Sequence, residues 1–290
     1  MGLKAIAKNL SFWSLLKISR PVNLLILAFA QIMTALFLVE TDRMGLPVYQ
    51  DIKLYLLIIT TLMIAAAGYM INDYYDVKID YINKPDEVII GRTMKRRVAL
   101  FYHSVLNFTA IGIGVFISPR VALVLFFAAF LLWFYSNLLK RLPFIGNLTV
   151  ALLTGASIWL IGYFYQKSEL LVLTYAIFAF FMNLIREILK DIEDRNGDRK
   201  HGCKTLPIVI GFRNTKRVIF AIAIVFVCSI LVVTFKINNP KLYYYFGVLS
   251  ILFLIFMYKI YYADRKLHFT QLSLLNKILM FAGIVSMIFL

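Results

Sequence analysis

The stretch "LYLLIITTLMIAAAGYMINDYYDVKID", residues 54–80, opens as an apolar run and closes on three aspartates, Asp73, Asp76 and Asp80. A helix that spans a bilayer needs roughly 20 apolar residues, so the run is long enough to span, and the aspartates fall where the span should end. The same Asp-x2-Asp-x3-Asp spacing returns in "KDIEDRNGD", residues 190–198, as Asp191, Asp194 and Asp198. At about 100° per residue these offsets fall within an arc of about 60°, so each triplet lines one face of a helix.

The rest of the chain is as apolar as this stretch. Of its 290 residues 61% are hydrophobic and 16% aromatic, which excludes a soluble domain with one anchor. Span-length runs recur at about 21–40, 52–73, 97–117, 120–139, 145–165, 169–190, 215–235, 242–262 and 271–290. They predict an all-α polytopic membrane protein of nine spans, with residues 1–290 forming one domain. Ahead of the first span, "LKAIAKNLSFWSLLKIS" alternates lysines with Leu, Ile, Phe and Trp, which predicts an amphipathic segment over 1–20 lying in the membrane interface. Pro21 suits the first turn of that span, and the run lacks a small-residue cleavage site, so it reads as a retained helix.

Basic residues set the orientation. With the N-terminus cytoplasmic, the inner side collects Lys4, Lys8, Lys17 and Arg20, the loop cations from Lys78 to Arg97, Lys140 and Arg141, the run from Lys190 to Arg217, and Lys259, Arg265 and Lys266. The outer side keeps Arg43, Lys53, Arg120, Lys167, Lys236 and Lys241. This bias puts both aspartate ladders at the cytoplasmic face of the cell membrane and accounts for most of the net charge of +16. Nucleic acid is excluded as a partner, because the cations sit at helix ends and not along one soluble face; part of the inner charge meets anionic lipid. Cys203 and Cys228 form no metal or disulfide pattern, and His103, His201 and His268 are too scattered for a zinc site.

Three carboxylates on one face repel one another unless cations intervene. Mg²⁺ takes carboxylate oxygens and shares itself with substrate phosphates, so two facing ladders can clamp a diphosphate, with Asn72 adding a neutral ligand. A solvated helix end is the simpler reading of one ladder. It fits two matched ladders poorly, since they use six of only 15 acidic residues in the chain. Lys140, beside Tyr135 in "YSNLLKR", and Arg92 and Lys204, which follow the two ladders, can neutralise a leaving diphosphate; by spacing alone they serve equally as positive-inside anchors. Lys95, Arg96 and Arg97 read as anchors. A cation transporter is the rival class, but it requires acidic residues near the bilayer midplane and interrupted helices.

At this point "NDYYDVKID" resembles the NDxxDxxxD signature of the UbiA superfamily of intramembrane prenyltransferases, and "DIEDRNGD" its second motif. "RPVN" at 20–23 and "YSNLLKR" at 135–141 extend the likeness. The resemblance implies nine helices around a central cavity with cytoplasmic cap loops. It implies Mg²⁺ ligation by Asn72, Asp73, Asp76, Asp80, Asp191, Asp194 and Asp198. Diphosphate binding falls to Arg20, Asn23, Asn72, Arg92, Tyr135, Lys140 and Lys204, and catalysis to Asp73, Asp76, Asp191, Asp194 and Lys140. "IREILKDIEDRNGDRKHGCKTLPIVIG" is similar to the ether-lipid branch, the digeranylgeranylglyceryl phosphate synthases. That branch implies geranylgeranyl diphosphate as donor and geranylgeranylglyceryl phosphate as acceptor. An aromatic acceptor such as 4-hydroxybenzoate is the alternative. Where the ether-lipid enzymes carry a basic residue after a Pro-Asp pair, this chain has Glu87.

Overall fold

The computed structural model describes residues 12–42, 44–167 and 169–290. Residues 1–11, and with them most of the expected interfacial segment, lie outside the described residues. The helices are α1 (Phe12–Ile18), α2 (Pro21–Thr34, continued by a wider π turn over Ala35–Val39), α3 (Ile52–Asn83), α4 (Arg96–Ile117), α5 (Pro119–Asn137), α6 (Ile145–Tyr165), α7 (Glu169–Lys200), the short α8 (Leu206–Val209), α9 (Phe212–Ile237), α10 (Pro240–Tyr262) and α11 (Lys266–Val285). Among the described residues there is no strand, only two isolated bridges. Among the described residues nine helices are long and apolar enough to cross a membrane.

Helices start where the side chains can satisfy the first free N–H groups. Asp51 accepts from the Lys53 N–H, Ser118 from Arg120 and Asn239 from Lys241, the last two just ahead of a proline in the first helical turn. The ends of α3 and α7 correct the expected spans. Hydropathy placed them at 73 and 190, yet each helix runs on for about three turns, to Asn83 and Lys200. Charge ends an apolar run without ending a helix. At 32 residues each, these helices are about 48 Å long against a hydrocarbon layer of about 30 Å. The ladders therefore stand on helical extensions and not on loops.

Two compact units divide the chain. The first comprises residues up to Phe29, Asp51–Lys140 and Asn196–Gly202. Here α3 packs against both α4 and α5, and α1 lies on α3. Gly68 of α3 lets Leu132 of α5 approach, since a β-carbon there would sit 2.8 Å from the leucine. His103 donates from Nδ1 to the Ala67 carbonyl (3.0 Å) and so pins α4 to α3. The segment between α3 and α4 tucks Ile89, Ile90 and Met94 against Ile18 and Met70.

The second unit comprises Ala30–Gln50, Arg141–Arg195 and Cys203–Leu290. Its core runs along α7 (Met182, Ile185, Ile188, Leu189) and onto Phe226, Phe256, Phe269 and Leu279. Gly155 and Gly162 of α6 face Ala176 and Val172 of α7, the close approach that small residues permit between membrane helices. Outside these cores, large apolar side chains such as Phe116, Leu254 and Phe235 stay exposed, as a lipid-facing surface requires.

Candidate active site

In the first unit the ladder of α3 is occupied by cations of the protein itself. Asp76 is buried, 4% exposed, and its Oδ2 accepts from Asn72 Nδ2 (2.8 Å) and pairs with the Lys140 ammonium. Lys140 Nζ also donates to Asn72 Oδ1 (3.3 Å). Lys140 reaches this position because α5 stops at Asn137 and the chain tightens into a 3-10 turn over Leu139–Arg141. One turn earlier on α3, Asp73 Oδ1 accepts from Arg20 Nη2 at 2.7 Å, and the Arg20 guanidinium lies 4.9 Å over the Tyr69 ring. Arg20 has a φ of 53°, a left-handed conformation that non-glycine residues seldom adopt and that surrounding contacts must hold in place. The Asn23 N–H closes a turn back onto the Arg20 carbonyl (2.9 Å).

Burial works to lower the basicity of Lys140, but Asp76, then Tyr135 and Asp198, overcome it and hold the ammonium well above the ordinary lysine range. Asp198, the last aspartate of the second ladder, thus acts on Lys140 within this unit. Asp198 is buried, and its neighbour Gly197 donates its N–H to Asn83 Oδ1 (2.8 Å) at the end of α3. A β-carbon on Gly197 would stand 2.5 Å from Asn83 Nδ2. Gly197→Ala is thus expected to displace the Asn83 amide and to cost about 1 kcal/mol in lost hydrogen bonding, seen as a lower melting temperature. Unchanged melting would show that the contact contributes nothing.

The raised Lys140 value fixes a sign for pH dependence. Stability from the Lys140–Asp76 pair is complete below the ordinary lysine pKa of about 10.4 and is lost only as pH rises through the higher folded value. Melting between pH 7 and 10 should therefore show no decline that vanishes in Lys140→Met.

Asp80 lies half-buried one turn beyond Asp76. Arg92, expected at the diphosphate, is exposed and rests over Tyr81, 5.6 Å from its centroid. Arg96, read as an anchor, donates to the Tyr74 carbonyl at 3.1 Å and covers that ring. Of the aromatics, Tyr69 carries Arg20, while Trp133 and Trp159 are exposed.

In the second unit Asp191 Oδ2 accepts from Asn147 Nδ2 of α6 (2.8 Å). Asp194 is half-buried one turn further along α7. Lys204 is exposed, and its backbone N–H donates to the Arg141 carbonyl (2.8 Å). Asn147 is a buried residue that the sequence reading missed; a lone amide inside an apolar span was the available signal.

The donors fit a hard divalent cation. They are carboxylate and amide oxygens, and the Lys140 ammonium already sits on Asn72 and Asp76 as a bound cation would. Among the described residues, however, no group of three or more His, Cys, Asp or Glu side chains is gathered tightly enough to hold a metal. Mg²⁺ usually shares carboxylate donors with water and with substrate phosphate oxygens.

The sequence profile of the UbiA prenyltransferase family matches residues 26–278. A digeranylgeranylglyceryl phosphate synthase of Methanoregula boonei is 39% identical over 206 residues, covering 70% of this chain and 71% of the relative. The synthase of that name from Methanobrevibacter smithii is 34% identical over 255 residues, covering 83% and 84%. Among solved structures, a UbiA homolog from Archaeoglobus fulgidus bound to DMAPP and Mg²⁺ aligns with a TM-score of 0.66 at 16% identity, covering 96% of this chain and all of the other.

Proposed function

The chain belongs to the UbiA prenyltransferase family, and on that premise we propose that it moves a geranylgeranyl group from its diphosphate to the free hydroxyl of geranylgeranylglyceryl phosphate. It is a multi-pass membrane prenyltransferase. The observation that carries the reading is the seating of Lys140 on buried Asp76 and Asn72, with Arg20 on Asp73 one turn away. Hard oxygens and fixed cations in one place suit a diphosphate. The choice of acceptor is supported by the likeness to the two synthases. The family match spans both units, and we read the chain as one catalytic domain.

Mg²⁺, bound with DMAPP by the Archaeoglobus fulgidus homolog, is the ion this donor chemistry suits. In the first unit Asn72, Asp73, Asp76, Asp80 and Asp198 would hold it, and in the second Asp191 and Asp194; bound there, it neutralises phosphate charge. Lys140 and Arg20 supply permanent cations to the oxygens of the departing diphosphate as the allylic carbon–oxygen bond breaks. Asp76 and Asn72 fix the direction of the Lys140 ammonium before substrate arrives, so little reorganisation remains for the reaction itself. The glycerol hydroxyl attacks the cation-like carbon, and its proton leaves as the ether forms. Exclusion of water from an apolar membrane interior protects that carbon from hydrolysis. The excess of basic residues beside the ladders supports a cytoplasmic mouth and N-terminus.

The test is a product assay in bilayer nanodiscs with labelled geranylgeranyl diphosphate. Geranylgeranylglyceryl phosphate or 4-hydroxybenzoate is the acceptor, with Mg²⁺ or EDTA. Label is expected in the glycerol lipid, only with Mg²⁺. Label in the aromatic acid alone would keep prenyl transfer and overturn the acceptor.

A further inference from the structure

The second unit holds a polar group that the diphosphate chemistry above does not use. Along α7 the residues Asn183, Arg186, Glu187 and Lys190 precede Asp191 on the same side of the helix, continuing the ladder about two turns back into the span. They are well covered: Asn183 is 4% exposed and Glu187 8%, and the Arg186 side chain is 11% exposed. Arg186 Nη1 lies 3.3 Å from Asn183 Oδ1 and 3.3 Å from Glu187 Oε1. Lys190 Nζ is 3.6 Å from the same glutamate oxygen. Asn183 is itself held by α6, donating from Nδ2 to Thr154 Oγ1 (3.0 Å).

Both hydrogen bonds of Arg186 leave from Nη1, and its buried Nε has no hydrogen-bond partner among the described residues. Nε and Nη2 form the side edge of the guanidinium, the pair of parallel donors that grips two oxygens of one phosphate. The protein thus spends the nitrogen that cannot join this fork and leaves the fork itself for something else. An ionised side chain within a span is costly to keep and marks a functional site. Asn183 and Glu187 hold the guanidinium in a set direction, as recognition of an anion demands.

We propose that Arg186, with Lys190 beside it, binds the phosphate monoester of the acceptor and so selects a glycerol phosphate over an uncharged or aromatic acceptor. The inference rests on the acceptor assigned above. Glycerol has three carbons, so the attacking hydroxyl lies at most two carbons from the one that bears the phosphate. The phosphate must therefore be held close to the reacting carbon. Arg186 lies five residues before Asp191, about 7.5 Å along the helix axis, which suits a headgroup that short. No residue assigned to the departing diphosphate is needed for this second task.

Initial rates in nanodiscs, varied separately in donor and acceptor, test the proposal with Arg186→Gln and Arg186→Lys. In the glutamine variant the KM for geranylgeranylglyceryl phosphate should rise about 10-fold or more, about 1.4 kcal/mol, while the donor KM stays unchanged. The wild-type preference for this acceptor over geranylgeranylglycerol, which lacks the phosphate, should shrink by the same factor. Lysine keeps the charge but not the fork and should leave the acceptor KM raised. Should glutamine beside Glu187 prevent folding, the lysine variant carries the test. Glycerol 1-phosphate should also inhibit the wild type competitively against acceptor and not against donor. An unchanged acceptor KM, an equal rise in donor KM, or inhibition competitive with donor would overturn the inference alone. A wild-type enzyme that leaves geranylgeranylglyceryl phosphate unreacted would overturn the proposed acceptor and this inference together.

Discussion

Lys140→Met is expected to lower turnover about 10²–10³-fold at saturating donor and Mg²⁺, the usual loss when one preorganised donor to a developing negative charge is removed. Methionine fills much of the same volume, so the loss reports the charge. The substitution also strands a carboxylate, because Asp76 is 4% exposed and Lys140 is its ionic partner. Breaking a buried pair from one side costs about 3–5 kcal/mol, and the quarter of Lys140 left exposed (24%) places this case toward the lower end. Pairing Lys140→Met with Asp76→Asn separates the two effects. The double variant should recover most of the lost stability, since no unpaired charge remains, and none of the activity. Recovered turnover in that variant would show that Lys140 serves only to neutralise Asp76 and takes no part with the diphosphate.

Gly283→Val is expected to cost up to about 3 kcal/mol of stability, the upper end for an overpacked core position. A β-carbon at Gly283 of α11 would fall 1.9 Å from Phe178 Cζ on α7. The phenyl ring is buried against Phe226 with centroids 5.4 Å apart and must shift to admit the new side chain. Thermal unfolding in nanodiscs should show the drop, and Phe178→Leu in the same chain should restore part of it. Gly247 of α10 is the control: nothing lies within 4 Å of a β-carbon there, so Gly247→Val should leave stability within about 0.5 kcal/mol. Equal losses at both positions would mean that helix propensity, not packing, sets the response.

The contrast between these two glycines is invisible in the sequence, where both sit among apolar residues. An apolar side chain that faces lipid and one that faces another helix satisfy the same hydropathy, so the span pattern cannot say which helix packs on which. Polar residues behave differently. Each one inside an apolar run needs a partner or a purpose, and so the two aspartate ladders, Lys140 and the positive-inside bias could be read directly. The nine spans followed from length alone, because the bilayer fixes how many apolar residues a helix must have.

Tertiary structure decided what hydropathy leaves open. It carried α3 and α7 past their last apolar residues, since helices stop at breakers and caps and not where charge begins. It seated Lys140 on Asp76 and Arg20 on Asp73, but placed Arg92 over Tyr81, although spacing gave Arg92 and Lys140 equal standing. It joined Asn147 to Asp191, and Asn183 to Thr154, from positions that look unrelated in the chain. The sequence alone determined that this protein spans the membrane and carries two matched aspartate ladders. Which cation meets which carboxylate depends on where each backbone turns, and that is settled only when the helices pack.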